Sequence, residues 1–349
     1  MIEGKSAASI GSLASLPAVT TTNARVIAFA GEGRRWAVIE RRENDYAVRV
    51  FDDATTEKMP VVAFDHHEPF DLVLAFAPGG DELLAGDSRV AWRNGKVLST
   101  AAFGKVIEPI NKSGGRMAKV WSSSAHTAGT RMAVFIREEF RSRRLKGEGP
   151  ADYSRSSVHL VDAKTGAAIA NDTRRFAIAP FAVSANHLVA LESPQDFDGQ
   201  RTGKRPRPVL AIWSGDSGDA LRRTVDEVAV TDLAFDATGS RLATAHGGSV
   251  TLWSVPDFCP QARFRLPDGD SIEAMAFAPR GLLLATRTGR LELWSVDEPG
   301  VRLASAAIPA PLPGGTATIT ESLAVSADGS RALLLLNIDV GVRLFSLAP

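Results

Sequence analysis

Four short runs carry residue types that could do chemistry. Gly215–Gly218 reads GDSG, an order in which a hydrolase could present a nucleophilic serine. Glu3–Ser6 reads EGKS, which matches the end of a phosphate-cradling loop. Asp196–Gly199 reads DFDG, with carboxylates spaced as in the opening of a calcium loop. His66 and His67 stand between Asp65 and Glu68 and form the most metal-like pair in the chain.

Each run has a plainer reading. GDSG follows the apolar run VLAIW (Val209–Trp213). Gly, Asp and Ser are turn formers, and no histidine sits in a protease-like setting, so a turn is expected. In EGKS the first glycine of a phosphate loop would fall ahead of Met1, and the spacing excludes the motif. In DFDG the glycine comes too early and no glutamate closes the loop, so a solvated loop is expected. Adjacent residues of a strand point to opposite faces, so His66 and His67 could share an ion only from a loop. His67 is expected to be structural. No catalytic residue, cofactor or metal is expected.

The elements that position these residues follow from composition and repetition. The chain has 349 residues, 44% of them apolar, enough for a large core and too apolar for disorder. No apolar run approaches the ~18 residues needed to cross a bilayer. The first residues lack the continuous apolar block of a signal peptide. Cys259 is the single cysteine, so the fold must stand without an internal disulfide. These features give the expectation of a cytoplasmic protein with no membrane contact. The 40 basic and 40 acidic side chains balance, which argues against general nucleic-acid binding. Abundant Ala and Arg with little Lys hints at a GC-rich bacterial source.

One pattern recurs. Leu233–Ser254 reads LAFDATGSRLATAHGGSVTLWS, and Met275–Ser295 reads MAFAPRGLLLATRTGRLELWS. Each holds an apolar strand, a tight turn, a second strand, another turn and a third strand. A weaker fourth strand follows, as in QARFRL (Gln261–Leu266). Sliding this template along the chain finds copies starting at Val26, Leu72, Val120, Phe181, Leu233, Met275 and Ser322. The first turn carries Gly33, Gly80, Gly129, Gly239, Gly281 and Gly329, with Asn186 in the fourth copy. These residue types tolerate a left-handed backbone, which is the conformation expected at all seven turns.

Four-stranded meanders of this size cannot bury their faces alone and stack radially. The fold class expected is all-β, a seven-bladed β-propeller of four-stranded antiparallel blades. It forms one domain over 1–349, with blades near 24–66, 70–105, 117–176, 177–225, 228–267, 271–308 and 319–347 plus 9–19. Blades packed on both faces should have strands apolar at nearly every position, as LLLAT and ALLLL are. The seventh copy reaches Leu347 with only its third strand. Ser9–Val19 is expected to supply the missing outer strand and close the ring, because an open ring would leave a long strand edge exposed.

The seven copies resemble WD-repeat β-propellers, with degenerate repeats. The motif AF-x-P-x-G stands at Ala75–Gly80 and, one residue shorter, at Ala276–Gly281. The closing Trp-Asp pair survives as Trp213-Ser214, Trp253-Ser254 and Trp294-Ser295, then as Trp92-Arg93, Phe51-Asp52, Val161-Asp162 and Phe345-Ser346. The Gly-His dipeptide is nearly absent, so the family's buried Asp-His-Ser-Trp network is not expected in most blades. The resemblance implies a non-enzymatic scaffold that presents surfaces to other proteins, as a subunit or adaptor of an assembly. A metal-dependent propeller hydrolase or lactonase is the alternative. It would use carboxylates near the inner strand starts: Asp71, Asp226, Asp232, Glu273 and Glu321. These five do not share one repeat position.

Two insertions and one long connection depart from the repeat. They span 137–156 and 193–208, after the second strands of blades three and four, and 104–119, leading into blade three. All three emerge on one face. They carry net charges of +2, +2 and +3 in a chain whose total is zero. The candidate docking residues are Lys112, Arg116, Arg141, Arg143, Arg144, Tyr153, Arg201, Lys204, Arg205 and Arg207. Arg-rich loops suit carboxylate partners. The expected partners are one or more proteins with an acidic contact surface. The chain itself is expected to be a monomer or a subunit of a hetero-complex. Nucleic-acid binding is a weaker alternative, since aromatic stacking residues are few.

Overall fold

The computed structural model of the chain describes residues 2–3, 5–16, 24–30, 34–42, 45–52, 62–64, 74–77, 80–85, 88–99, 116–125, 131–140, 154–162, 168–172, 181–192, 208–214, 220–225, 230–255, 257–308, 320–336 and 341–347. The chain opens with β1 (Ile2–Glu3), β2 (Lys5–Ser12) and β3 (Ala14–Ser15). The remaining strands fall into successive antiparallel meanders.

The first sheet holds β4 (Ala24–Phe29), β5 (Arg35–Arg42), β6 (Asp45–Asp52) and β7 (Val62–Phe64). The second holds β8 (Leu74–Phe76), β9 (Glu82–Ala85), β10 (Ser88–Ala91) and β11 (Lys96–Ser99). The third holds β12 (Arg116–Ala125), β13 (Arg131–Phe140), β14 (Ser154–Asp162) and β15 (Ala168–Asp172). The fourth holds β16 (Phe181–Val183), β17 (His187–Glu192), β18 (Val209–Ser214) and β19 (Leu221–Thr224). The fifth holds β20 (Asp232–Phe235), β21 (Arg241–His246), β22 (Ser249–Ser254) and β23 (Pro260–Arg265). The sixth holds β24 (Ile272–Ala278), β25 (Gly281–Thr286), β26 (Arg290–Trp294) and β27 (Val301–Ala307). The seventh holds β28 (Thr320–Val325), β29 (Arg331–Leu336), β30 (Val342–Ser346) and β3.

The core lies between sheets, and strand alternation explains how. In β25, Leu282 and Leu284 pack toward the fifth sheet, with Val250 and Phe264. Leu283 and Ala285 pack toward the seventh, with Leu334 and Phe345. In β29, Ala332 and Leu334 join that same cluster, whereas Leu333 and Leu335 pack against Ile27 and Val38 of the first sheet. Successive side chains point to opposite faces, so a strand covered on both sides must be apolar throughout. Burying each such leucine stabilises the fold by roughly 1.5–3 kcal/mol. First strands pack side by side: β4 on β8, β12 on β16, β16 on β20, β20 on β24, β24 on β28, and β28 on β4.

The first sixteen residues pair with three different sheets. Ala14 and Ser15 pair antiparallel with Ser346 and Phe345, and the Leu16 N–H donates to Leu344 O at 2.9 Å. Leu13 is buried in the cluster between the sixth and seventh sheets, and Leu16 packs against the one between the seventh and first. Upstream, β2 pairs parallel with β27, and β1 pairs parallel with β23. Neither parallel pairing is foreshadowed by the repeat.

Two turns depart from the expected left-handed geometry. Gly80, Gly239 and Gly329 do take positive φ, at 71°, 71° and 68°. Asn186 does not, because Phe258 is the one non-glycine residue with positive φ among those described. In its turn the Ser184 hydroxyl accepts the N–H groups of Asn186 and His187 at 3.3 and 3.0 Å, so a side chain does the turning. Gly281 is not left-handed either. It opens β25 where a Cβ would fall 2.1 Å from the carbonyl oxygen of Trp294, so space dictates the glycine there.

The third sheet also differs from expectation. Its first two strands run ten residues each, and Arg116 pairs with Phe140 and Lys119 with Arg137. Residues expected in loops thus lie in the ladder, and the segment between β13 and β14 narrows to 141–153.

Candidate functional site

The starts of the first strands hold the carboxylates that could do chemistry. Asp232 opens β20, and its Oδ2 accepts the Met275 N–H of β24 at 2.7 Å. Its Oδ1 accepts the Leu233 N–H at 2.8 Å. One sheet further on, Glu273 Oε2 accepts the Thr320 N–H at 2.7 Å. Glu273 is the bulged residue of β24, between Ile272 and Ala274, and Glu321 is the bulged residue of β28, between Thr320 and Ser322. A bulge re-aims a residue away from its own ladder, which suits a side chain that reaches a neighbouring sheet. Burial pushes the Asp232 carboxyl up to about 7, against the opposing pull of the Met275 and Leu233 N–H groups.

These carboxylates tie sheet to sheet. Among the described residues no group of three or more His, Cys, Asp or Glu side chains could hold a metal ion. Asp71 and Asp226 lie outside the described residues, as does the side chain of Glu321. So do His66, His67 and the GDSG and DFDG runs. In EGKS, Glu3 belongs to β1, and Lys5 and Ser6 to β2, so those residues are ladder, not phosphate loop. Cys259 is free and exposed.

The closing tryptophans find different acceptors in different sheets. Trp92 Nε1–H donates to Gly80 O at 2.7 Å. Trp294 donates to Glu292 Oε2 at 3.1 Å, and Arg302 Nη1 donates to Glu292 Oε1 at 2.5 Å. Trp253 donates to Thr244 Oγ1 at 3.0 Å, and that hydroxyl lies 2.7 Å from His246 Nε2. A hydroxyl accepts and donates at once, so Thr244 can take the indole proton's bond and pass its own to the imidazole. The fifth sheet thus holds a buried Trp–Thr–His relay in place of the four-residue network of WD repeats. Farther round, burial pushes His159 of β14 down to about 4, so its ring is neutral at pH 7.

One positioning device was overlooked in the sequence although it is written there. Arg35, Arg131, Arg241 and Arg331 each open the second strand of a sheet. Arg35 Nη1 donates to Gly80 O at 2.9 Å and its guanidinium lies 5.2 Å from the Trp92 ring centroid, both in the next sheet. Arg241 Nη1 meets Asp297 Oδ1 of the next sheet at 2.9 Å. The turn glycines mark the same boundaries. A Cβ on Gly239 would sit 2.8 Å from Ser184 Oγ, and one on Gly329 would sit 2.1 Å from Pro279 Cδ.

Of the candidate docking residues, Arg116 lies in β12, and the other nine fall outside the described residues. Their flanking elements are described: β13 and β14 bound the segment 141–153, and β17 and β18 bound 193–208.

No family model matches the chain, and no curated protein matches it by sequence. Solved structures do match. The Cps50 (Swd1) β-propeller domain of Myceliophteria thermophila superposes with a TM-score of 0.61 at 11% identity, covering 96% of this chain and 100% of that one. The Dos1 propeller gives 0.57 at 13% identity, over 93% and 78% of the two chains. The C-terminal WD40 domain of Sif2 gives 0.55 at 13% identity, over 93% and 82%. At these identities the likeness establishes the fold, which is that of WD40 β-propellers.

Proposed function

We propose that the chain is a seven-bladed propeller, closed by its N-terminal segment, that serves as a non-enzymatic scaffold for one or more protein partners. The docking face lies on blades three and four, where Arg141, Arg143, Arg144, Arg201, Lys204, Arg205 and Arg207 meet an acidic surface. The observation that carries this reading is the common origin of the two basic segments. Each follows the second strand of its sheet, β13 or β17, and both β12 and β13 pack on β16. Two basic segments leaving adjacent sheets on the same side can act on one partner. The Asp232 and Glu273 carboxylates support the same reading, because each is engaged in holding neighbouring sheets together.

The test compares proteins captured from cells by the wild-type chain, by Arg143→Glu/Arg144→Glu and by Arg205→Glu/Arg207→Glu. Both reversals are expected to lose the same partner while keeping the wild-type melting temperature. Loop charges contribute within about ±0.5 kcal/mol to stability, and reversal adds repulsion to the loss of attraction. The difference should shrink as salt rises. A partner retained by both reversals removes the basic face from the proposal. A captured nucleic acid in place of a protein overturns it.

A further inference from the structure

The outer edges of the sheets are not alike. The edges of β23 and β27 each carry an added parallel strand, β1 and β2, from the chain's own first residues. The edge of β19 ends its sheet, and no strand follows it among the described residues. The exposed large hydrophobic residues among those described are Val97, Leu98 and Leu221. All three lie on β11 or β19, outer strands without an addition, and none on β23 or β27.

The register at β1 shows what such an edge accepts. Ile2 stands beside Phe264 and Glu3 beside Arg265, so an apolar–acidic pair lies along an apolar–basic one. The outer strand β19 reads Leu-Arg-Arg-Thr, with Leu221, Arg223 and Thr224 exposed. The Arg223 guanidinium is held to the Asp257 carbonyl at 3.4 Å and keeps further N–H donors at the surface.

The backbone is poised as well. The Val225 N–H donates to Pro208 O at 3.0 Å. Antiparallel ladders alternate, so Arg223 and Leu221 also turn their N–H groups toward β18, and Arg222 and Thr224 turn theirs outward. We propose that the outer edge of β19 is a strand-addition site for an extended segment of a partner protein in which apolar and acidic residues alternate. Main-chain bonds to Arg222 and Thr224 supply the pairing, and Leu221 with the two arginines supplies the selection.

This site uses residues other than the basic loops, so its failure and that of the loop reversals are distinguishable. The probe is a fluorescein-labelled octapeptide of alternating valine and glutamate, followed by fluorescence anisotropy on the full chain. The wild-type protein should bind it. The same peptide with lysine for glutamate, or with alternate backbone nitrogens methylated, should bind at least about tenfold more weakly. Arg223→Glu should weaken binding by a similar factor. Thr224→Pro removes an outward N–H without touching the bonds to β18 and should do the same, whereas Thr224→Val should not. Charged residues on an edge can also serve only to repel other strands. That role predicts no binding of the glutamate peptide, or equal binding of the glutamate and lysine peptides, and either result overturns the proposal. Binding that survives both Arg223→Glu and Thr224→Pro overturns it too. So does self-association of the wild-type chain that Thr224→Pro abolishes while the peptide stays unbound, because the occupant would then be a second copy.

Discussion

The carboxylate of Asp232 accepts the backbone N–H of Met275 at 2.7 Å, from one first strand to the next across 43 residues of sequence. Glu273 repeats the contact one sheet on, to Thr320. Side chains therefore supplement apolar packing at the boundaries between sheets, and several consequences can be measured.

Asp232 makes stability depend on pH. Its carboxyl ionises near 3.8 in the unfolded chain and near 7 in the folded one. Between these values the folded protein holds more protons, so stability falls as pH rises from about 4 to about 7 and levels above. The size is on the order of 2–4 kcal/mol at most. Asp232→Asn cannot titrate and should flatten this limb. Melting temperatures at pH 5 and pH 8 read the effect, and an equal drop in both proteins would show that Asp232 is not its source.

Thr244 holds the relay of the fifth sheet. Thr244→Val should leave the buried Trp253 N–H without its acceptor and cost about 1–3 kcal/mol. Trp253→Phe removes the orphaned donor, so the double variant should lose less than the sum of the singles. Additive losses in urea titrations would mean that the bond contributes nothing beyond packing.

Gly329 and Gly247 separate backbone strain from close approach. Both take positive φ, 68° and 58°, but only a Cβ on Gly329 meets a neighbour, Pro279 at 2.1 Å. Gly247→Ala should cost about 1 kcal/mol from backbone strain alone. Gly329→Ala should cost clearly more, and equal losses would show that the neighbouring turn yields without resistance.

Removing residues 1–16 uncovers the edges of β23, β27 and β30 together. It also empties the buried place of Leu13. The shortened chain should melt lower and associate, because exposed strand edges recruit other strands. Sedimentation and thermal melting check this. An unchanged melting temperature with a monomeric chain would make the segment dispensable.

The fold was largely legible in the sequence because its signals are local. Strand alternation, turn glycines and the closing tryptophans repeat at short range, and the physics that places them acts over a few residues. Gly239 and Gly329 could be read as left-handed for that reason. The continuous apolar runs of β25 and β29 likewise declared that both their faces would be covered.

Contacts between distant residues were decided only by the tertiary structure. The local pattern of Asn186 suits a left-handed turn, yet the Ser184 hydroxyl makes the turn instead. Gly281 looked like a conformational glycine, and its reason is the Trp294 carbonyl pressed against it. The acceptor of each tryptophan, the reach of Asp232 to Met275 and the parallel seating of β1 beside β23 have no periodic signature. They arise where one sheet meets the next or where an added strand meets an outer edge. Which side chains face each other there is set by the twist and spacing of packed sheets, and no single repeat contains that information.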